Sequence, residues 1–276
     1  MTWHASLQLN YTRQGDRCVA HHRHDGPLRI LQSLYPEGDG ICHNVLVHPP
    51  GGLVGGDTLD VRVDVGPQAH GLLTTPGATR YYRSTGEPAR QNLHARLQAG
   101  ARLEWLPLEA LAYNACRAEN RAVFDLAADA ELMGWDITAL GLPAAQLPFA
   151  QGSFAQHIEV PGVWLEQGRI DAADARLLDS PLGLAGHRCM AMLFFVAGSP
   201  LSRERREGAL DVVRASIDAH ALCATAGATS PHPQVLVVRV LAPLVEPALA
   251  LLKTLRAHWR AQLWNLDPGT PRVWST

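Results

Sequence analysis

The residues most able to do chemistry in this sequence are four acids close to predicted turns: Asp57, Glu109, Asp136 and Glu166. Carboxylates that converge in a cleft can act as a general acid and a general base, as they do in many hydrolases. Taken singly, each acid is more often solvated or caps a helix or turn. Because spacing along the chain does not show convergence, a hydrolase with converging carboxylates stays open as one alternative.

Histidines and cysteines suggest a metal site at two places, but neither set is complete. His21, His22 and His24 come just before a turn, and no carboxylate or thiolate completes a ligand set there, so the sequence favours a solvated loop. Cys42 and His48 fall on one face of a predicted strand, which supplies two ligands and no closed site. Roles in the core or in hydrogen bonds are favoured for these two residues.

The sequence contains no established catalytic motif. It has no His-Glu-x-x-His, Gly-x-Ser-x-Gly or spaced Cys/His zinc pattern, and its single lysine, Lys253, is far from the glycine-rich loop. The glycine cluster at residues 51–56 leads into a strand pattern and not into a helix, which argues against a dinucleotide or phosphate loop. We therefore predict a protein that is not an enzyme and that binds no permanent cofactor.

Bulk composition limits the partners. The 24 basic and 26 acidic residues give a formal charge of −2, which argues against nucleic acid as a partner. The longest apolar run, residues 190–197, is too short to cross a bilayer, and the first residues do not resemble a signal peptide. We expect a cytoplasmic protein without membrane contact. Five cysteines without a Cys-x-x-Cys pair are typical of reduced thiols.

The elements that must position these residues are mostly strands over about residues 1–185. Apolar residues alternate over residues 7–11 before a turn at 14–16, after which residues 18–22 can return as the second strand of a hairpin. Further strands are predicted at residues 28–34, 41–47, 59–65 and 154–160. After the turn Pro161-Gly162 the alternation continues to about residue 170. Further hairpins are predicted over residues 93–105 and 122–135. The pattern indicates a β-rich, α+β protein with a large antiparallel or coiled β body.

The pattern changes after this β body. Residues 189–196 form a continuous apolar run suited to a buried strand, Ser202 can cap a helix, and residues 235–241 are again a buried strand. A last helix with an apolar stripe follows. We predict a strand-helix-strand-helix part with two helices over about residues 186–265, within a single domain that spans residues 1–276.

Two long motifs carry a resemblance to a known family. Residues 48–57 read HPPGGLVGGD and residues 72–84 read LLTTPGATRYYRS. Both resemble the signature of the UreD (UreH) family of urease accessory proteins at nearly every position. Shorter similarities lie at residues 103–107 (LEWLP) and 271–274 (PRVW). The sequence is thus similar to the UreD family over almost its whole length.

The resemblance implies a urease accessory protein. Members of this family are non-catalytic scaffolds or chaperones that bind the urease apoprotein and, with the accessory proteins UreF and UreG, deliver nickel for urease maturation. GTP hydrolysis in that assembly belongs to UreG, which agrees with the missing phosphate loop. Nickel would pass transiently along an internal polar path through weak oxygen and imidazole contacts. A dimer of the accessory complex is compatible with this role, and a generic β-rich interaction module is a second alternative.

Carried over by position, the resemblance points to particular polar residues. For the nickel path we expect Asp57, Asp136 and Glu166 first, and then Thr79, Glu109 and His48. The other motif residues are expected to shape the backbone or a partner surface: Gly51, Gly52, Gly55, Gly56, Pro76, Gly77, Arg80, Tyr82 and Arg83. The chain departs from the family at Leu142, where the family has an arginine, and at Arg80, where it has a lysine.

Overall fold

The structure is a computed structural model that describes residues 2–275. These residues form two large β-sheets, a few short strands beside them, and three α-helices. The strands are β1 (His4–Gln14), β2 (Arg17–Asp25), β3 (Arg29–Ile30), β4 (Cys42–Val47), β5 (Gly52–Leu53), β6 (Thr58–Val65), β7 (His70–Thr74), β8 (Thr79–Tyr81), β9 (Ala89–Leu97), β10 (Arg102–Leu106), β11 (Ala110–Ala112), β12 (Cys116–Leu126), β13 (Glu131–Leu140), β14 (Gly152–Val160), β15 (Trp164–Asp171), β16 (Cys189–Ala197), β17 (Ala226–His232) and β18 (Val235–Ala242). The helices are α1 (Ala175–Asp179), α2 (Arg203–Asp218) and α3 (Val245–Trp264), and short 3-10 helices cover Pro143–Ala145, Cys223–Thr225 and Arg272–Ser275.

The centre of the molecule is a coil of parallel strands. The first sheet has the order β15-β14-β12-β9-β6-β1-β2, and its neighbours from β1 through β14 are parallel. In the second sheet β4, β7, β10 and β13 are parallel neighbours. The short strands β5, β8 and β11 pair in parallel beside that sheet. Successive strands of the chain therefore belong in turn to the first sheet, the second sheet and the group of short strands, as in a solenoid.

The β-rich fold class with a coiled body is confirmed, but two predicted hairpins are wrong. In the hairpin predicted over residues 93–105, β9 pairs with β6 and β12, whereas β10 pairs with β7 and β13. In the hairpin predicted over residues 122–135, β12 and β13 likewise lie in different sheets. The physical reason is that apolar and polar residues alternate in the same way in an antiparallel meander and in a parallel coil. The turns between these strands carry the chain across to the opposite sheet.

Antiparallel hairpins do form both edges of the first sheet. β1 pairs with β2 across the predicted turn, and β14 pairs with β15. The loop expected at His21, His22 and His24 is instead part of β2, because the hairpin register continues past these residues. Of the strand predicted over residues 28–34, only Arg29–Ile30 is regular.

The C-terminal part adds a layer of helices to the second sheet. β16 and β18 extend that sheet in antiparallel fashion from β13, and α2 and α3 pack against it and against each other. α2 begins as predicted after Ser202, whose side chain accepts a hydrogen bond from the N–H of Arg205. The order strand, helix, strand, helix is confirmed. The strand β17 and the short helix α1 are additional elements that the sequence pattern does not predict.

The second sheet is the middle layer, since buried apolar clusters lie on both of its faces. On one face, Leu132 and Phe194 pack with residues of the first sheet such as Val61. On the other face, Met133 and Trp135 pack with α3. No helix within the described range 2–275 is long and apolar enough to cross a membrane. A polar side chain that faces the space between the two sheets is therefore in mostly apolar surroundings.

Candidate functional site

A row of polar side chains crosses the apolar space between the two sheets. Gln91 on β9, Asn120 on β12 and Gln156 on β14 occupy matching register positions on three neighbouring parallel strands. Each is partly buried and takes the place of an apolar residue in the inward-facing series of its strand. The side-chain amide of Gln91 donates to Asn120 Oδ1 at 3.5 Å. Parallel, in-register strands thus align three amides, which we call the amide row.

Asp136 on β13 faces the amide row from the second sheet. Its Oδ2 accepts a hydrogen bond of 3.1 Å from Asn120 Nδ2, and its Oδ1 accepts one of 3.2 Å from Thr138 Oγ1. Burial raises the pKa of Asp136 from 3.8 to about 6, and hydrogen bonds from Thr138, Gln156 and Asn120 offset only part of that shift. At pH 7 the group is a carboxylate held by neutral donors, which is the state that attracts a cation.

The amide row opens at one end into a cleft of about 480 Å³ that contains two of the predicted acids. Asp136 and Glu166 line this cleft together with Gln156, Arg239 and apolar residues such as Met192. Glu166 forms an ion pair with Arg239 at the cleft wall. We call this space the acidic cleft. Its two acids differ, because the charge of Glu166 is balanced by an arginine and that of Asp136 is not balanced by the neutral groups around it.

At its other end the amide row reaches a smaller pocket, of about 210 Å³, which the two long motifs line. The motif residues in this motif pocket are His48, Gly51, Thr75, Pro76, Gly77, Ala78, Thr79 and Arg80. Gln91 also lines the pocket, so the first amide of the row is accessible from it. Burial lowers the pKa of His48, although Asp57 opposes part of that shift. His48 is therefore a neutral imidazole at pH 7, the form that binds metals.

The backbone next to the motif pocket has the tight shape that its glycines predict. Gly56 adopts a φ of +91°, and a Cβ atom there would lie 2.4 Å from Thr2 Cγ2. A Cβ atom on Gly55 would lie 2.7 Å from the carbonyl oxygen of Glu87. This corner has no room for side chains at these two positions, so the glycines hold the loop against the segment that follows β8.

Asp57 lies outside the acidic cleft, in contrast to the expectation that it lines one path with Asp136 and Glu166. Its Oδ1 accepts a hydrogen bond from the N–H of Trp3, and its Oδ2 accepts one from the N–H of Val54, both at 2.9 Å. The side chain is buried. These bonds satisfy two backbone donors and link Trp3 to the loop that contains Gly55 and Gly56. The structure thus gives Asp57 a supporting contact next to the motif pocket.

Glu109 is also separate from the cleft. Glu109 lines neither the acidic cleft nor the motif pocket. Its charge adds to the effect of burial, which raises the pKa of Cys189 to about 12. Thr79 donates its backbone N–H to the carbonyl oxygen of Glu109 at 2.9 Å. The six polar candidates therefore lie in three places: Asp136 and Glu166 in the acidic cleft, His48 and Thr79 in the motif pocket, and Asp57 and Glu109 outside both.

Tyr82, Arg83 and Leu142 meet in a third depression, of about 370 Å³, which Tyr113 and Asn114 also line. The rings of Tyr82 and Tyr113 have centres 5.0 Å apart. Leu142, where the resemblance implies an arginine, lines this groove and lines neither the acidic cleft nor the motif pocket.

A second polar cluster, unforeseen from the sequence, is buried between the second sheet and α3. Glu104 on β10 accepts a hydrogen bond of 2.8 Å from Arg256 Nε and is also paired with Arg260. Arg260 contacts Glu37 as well, and Glu37 Oε1 lies 2.7 Å from His43 Nε2. Burial alone would raise the pKa of Glu104, but the charges of Arg256 and Arg260 hold it well below its ordinary value. We call these five residues the buried ion network.

The amide row and the buried ion network, neither of which we predicted, each leave a signal in the sequence. Gln91, Asn120 and Gln156 each interrupt a series of apolar residues at every second position. Glu104 is a charged residue inside the apolar run at residues 103–108. A polar group placed where the pattern calls for an apolar one needs a partner, which these residues find in one another or in α3.

Within residues 2–275, no group of three or more His, Cys, Asp or Glu side chains is placed to hold a metal ion. Asp57, Asp136 and Glu166 therefore do not form one ligand set. Separated oxygen donors along a row suit transient contacts with a cation better than a resident metal.

These features define a class of protein: a solenoid-like β body with a helix layer on one side and a polar row that joins two openings. A sequence model of the family described as "UreD urease accessory protein" matches residues 4–275. Proteins named "Urease accessory protein UreD" from Paracidovorax citrulli (strain AAC00-1) and Polaromonas naphthalenivorans (strain CJ2) are 70% and 68% identical over 275 residues, covering 100% of both chains. A protein of the same name from Variovorax paradoxus (strain S110) is 63% identical over 276 residues, again with 100% coverage of both chains. The chain belongs to the UreD family of urease accessory proteins, so the resemblance read from its motifs is confirmed.

Proposed function

We propose that this chain acts in the cytoplasm as a non-catalytic scaffold of urease maturation, which binds the urease apoprotein and works with UreF and UreG to deliver nickel. Membership of a family of urease accessory proteins supports the role in maturation. The amide row supports the delivery of a metal ion, because it offers a polar route through an otherwise apolar interior. That row is the single observation on which the transport step depends.

The route has suitable chemistry for a nickel ion in transit. Ni²⁺ is of borderline softness and accepts imidazole nitrogen and carboxylate or amide oxygen. An ion that must leave again needs weak binding sites in series. From His48 in the motif pocket, the ion would meet Gln91, then Asn120, and then Asp136 at the acidic cleft. The neutral amides bind weakly, and the charge of Asp136 draws the cation toward the cleft.

The hydrolase alternative receives less support from the same geometry. Paired catalytic carboxylates need one acid that donates a proton and one that accepts it at a common substrate. Glu166 is instead neutralised by Arg239, and both Asp136 oxygens accept hydrogen bonds, from Asn120 and from Thr138. A generic interaction module gives no reason for a polar row in the interior. Nickel delivery accounts for both the row and its two openings.

The test is the nickel content of urease that is produced together with its accessory proteins and with variants of this chain at limiting nickel. Asp136→Ala is expected to lower nickel content and urease activity several-fold while UreF and apo-urease still copurify with the variant. A path needs its oxygen donors, whereas a partner surface elsewhere does not. Asn120→Leu should act in the same direction, because it interrupts the row between Gln91 and Asp136.

Asp64→Ala is the matched control, since Asp64 is exposed on β6. It should leave nickel loading unchanged. Asp57 is kept in all variants, because its removal would leave two backbone N–H groups without their acceptor. Full nickel loading of urease with Asp136→Ala would refute the path. Loss of copurification with the same variant would show that Asp136 supports the fold or a partner surface instead.

A further inference from the structure

His22 and His24 form a pair on an edge strand that the proposed path does not use. β2 is the last strand of the first sheet, and the two residues are two positions apart on it, so their side chains lie on one face. Their rings are nearly parallel, with centres 5.9 Å apart and planes inclined by 15°. His21 precedes them on the opposite face of the strand. Neither His22 nor His24 lines the motif pocket or the acidic cleft.

The spacing of the two rings suits a shared metal ion. Transition metals bind imidazole nitrogen at about 2.1 Å, so two rings on one ion have their centres roughly 5 to 6 Å apart. The observed separation of 5.9 Å falls in that range. A rotation about χ2, which is a soft torsion in histidine, turns the two nitrogens toward each other. His22 is exposed and His24 is half-buried, so water has access to complete the coordination.

Arg29 is a neighbouring cation that limits the strength of such a site. Its Nη1 lies 3.3 Å from His24 Nδ1 and also donates to the carbonyl oxygens of Leu28, at 2.7 Å, and of Gly26. Because the two carbonyls can engage both Nη1 hydrogens, His24 Nδ1 is able to carry the ring proton itself. Its Nε2 is then free for a metal. The positive charge of Arg29 still opposes the approach of a dication.

We propose that His22 and His24 form a surface site for one divalent transition-metal ion of the nickel, copper and zinc class. Imidazole is a suitable ligand for all three ions. A site with two protein ligands binds the ion weakly and exchanges it readily. The absence of clusters of three or more possible ligands within residues 2–275 therefore does not bear on this site. The inference does not depend on the internal path, because neither histidine lines the motif pocket or the acidic cleft.

Calorimetric titration of the purified full chain with NiCl₂ tests this proposal. The wild-type protein is expected to bind one Ni²⁺ that His22→Ala and His24→Ala each bind at least tenfold more weakly. His21→Ala is the matched control, since its side chain lies on the other face of the same strand, and it should bind like the wild type. Equal affinity in all four proteins, or an equal loss in His21→Ala, would overturn the proposal.

Electron paramagnetic resonance with one equivalent of Cu²⁺ provides a readout of the ligands themselves. The wild-type spectrum should show coupling to two imidazole nitrogens, and the spectrum of His22→Ala or His24→Ala to one. Arg29→Met should strengthen Ni²⁺ binding several-fold, because it removes the nearby positive charge. A wild-type spectrum with a single coupled imidazole would contradict a shared ion, and an unchanged affinity in Arg29→Met would contradict the effect assigned to Arg29.

Discussion

Two acids on opposite faces of the second sheet, one buried and one half-buried beside a cleft, show how differently this fold treats a carboxylate. Glu104, on β10, meets two arginines of α3, whereas Asp136, on β13, meets the amide of Asn120 and the hydroxyl of Thr138. Burial would raise the pKa of both groups. The arginines nevertheless hold the pKa of Glu104 well below its ordinary value, while the pKa of Asp136 rises to about 6. Since loss of solvent would raise the pKa of both acids, the charge of their partners accounts for the opposite directions of the two shifts.

The difference determines what each acid can do. A carboxylate neutralised by two guanidinium groups has little charge left for a passing cation, and its removal leaves those groups as unpaired buried charges. A carboxylate held by neutral donors keeps its charge and is not needed to neutralise another group. Glu104 is therefore an anchor for α3, and Asp136 is available as a ligand.

The largest expected effect comes from breaking the anchor. Glu104→Gln should lower the free energy of unfolding by on the order of 3 to 5 kcal/mol, because Arg256 and Arg260 would remain buried without their main counter-charge. Urea denaturation followed by circular dichroism measures the change. Glu207→Gln, which removes an exposed ion pair with Arg203, is the control and should leave the free energy of unfolding nearly unchanged. A cost for Glu104→Gln as small as that of the control would remove the distinction between the two acids.

A smaller effect is expected in the pH dependence of stability. The pKa of Asp136 is 3.8 in its ordinary state and about 6 in the folded protein. Between these values the folded state holds a proton that the unfolded state has released, so a rising pH favours unfolding. The stabilisation is complete below the lower pKa and is lost as the pH passes the upper one.

The Asp136→Asn variant isolates this contribution from that of other acids. The difference in unfolding free energy between wild type and variant should change by roughly 1 to 3 kcal/mol across the window, and then become constant from about one pH unit above the upper pKa. Urea titrations at a series of pH values provide the measurement. Parallel curves for the two proteins throughout the window would show that Asp136 titrates normally.

The smallest effect on stability is expected at Glu166. Its ion pair with Arg239 is partly exposed, so Glu166→Gln should change the free energy of unfolding by about 1 kcal/mol or less. The same variant should lower the nickel content of coproduced urease, because it leaves the positive charge of Arg239 unbalanced in the acidic cleft. Thermal or urea denaturation beside the nickel assay tests both statements. A destabilisation as large as that of Glu104→Gln would place Glu166 among the anchors instead.

The strands of this protein are more predictable than their pairing. The β1–β2 hairpin, the β14–β15 hairpin and the start of α2 after Ser202 all follow from local signals, namely alternation, short turns and a capping side chain. The hairpins predicted over residues 93–105 and 122–135 fail, because alternation reports only that one face of a strand is buried. Whether the next strand lies beside the first or across from it depends on contacts with strands one full coil away.

The candidate site is predictable to a similar degree. The motifs select polar residues but do not divide them into groups, and the structure places Asp136 and Glu166 in one cleft and His48 and Thr79 in a separate pocket. The Gly-Gly-Asp pattern is compatible with a metal ligand at Asp57 and also with a carboxylate that accepts hydrogen bonds from backbone N–H groups. The structure shows the second arrangement. The amide row depends on strand register, which a single sequence does not reveal.

The buried ion network also joins parts of the chain that are synthesised far apart in time. Glu104 precedes Arg256 by 152 residues and Arg260 by 156, and Trp274 donates to Thr74 Oγ1 across 200 residues. A ribosome that adds residues in order therefore releases the coil long before the arginines that neutralise its buried acid. Contacts of such separation form slowly, since the entropy of a long loop must be lost first. The residues that complete the interior around Thr74 and Glu104 are thus made long after those two residues.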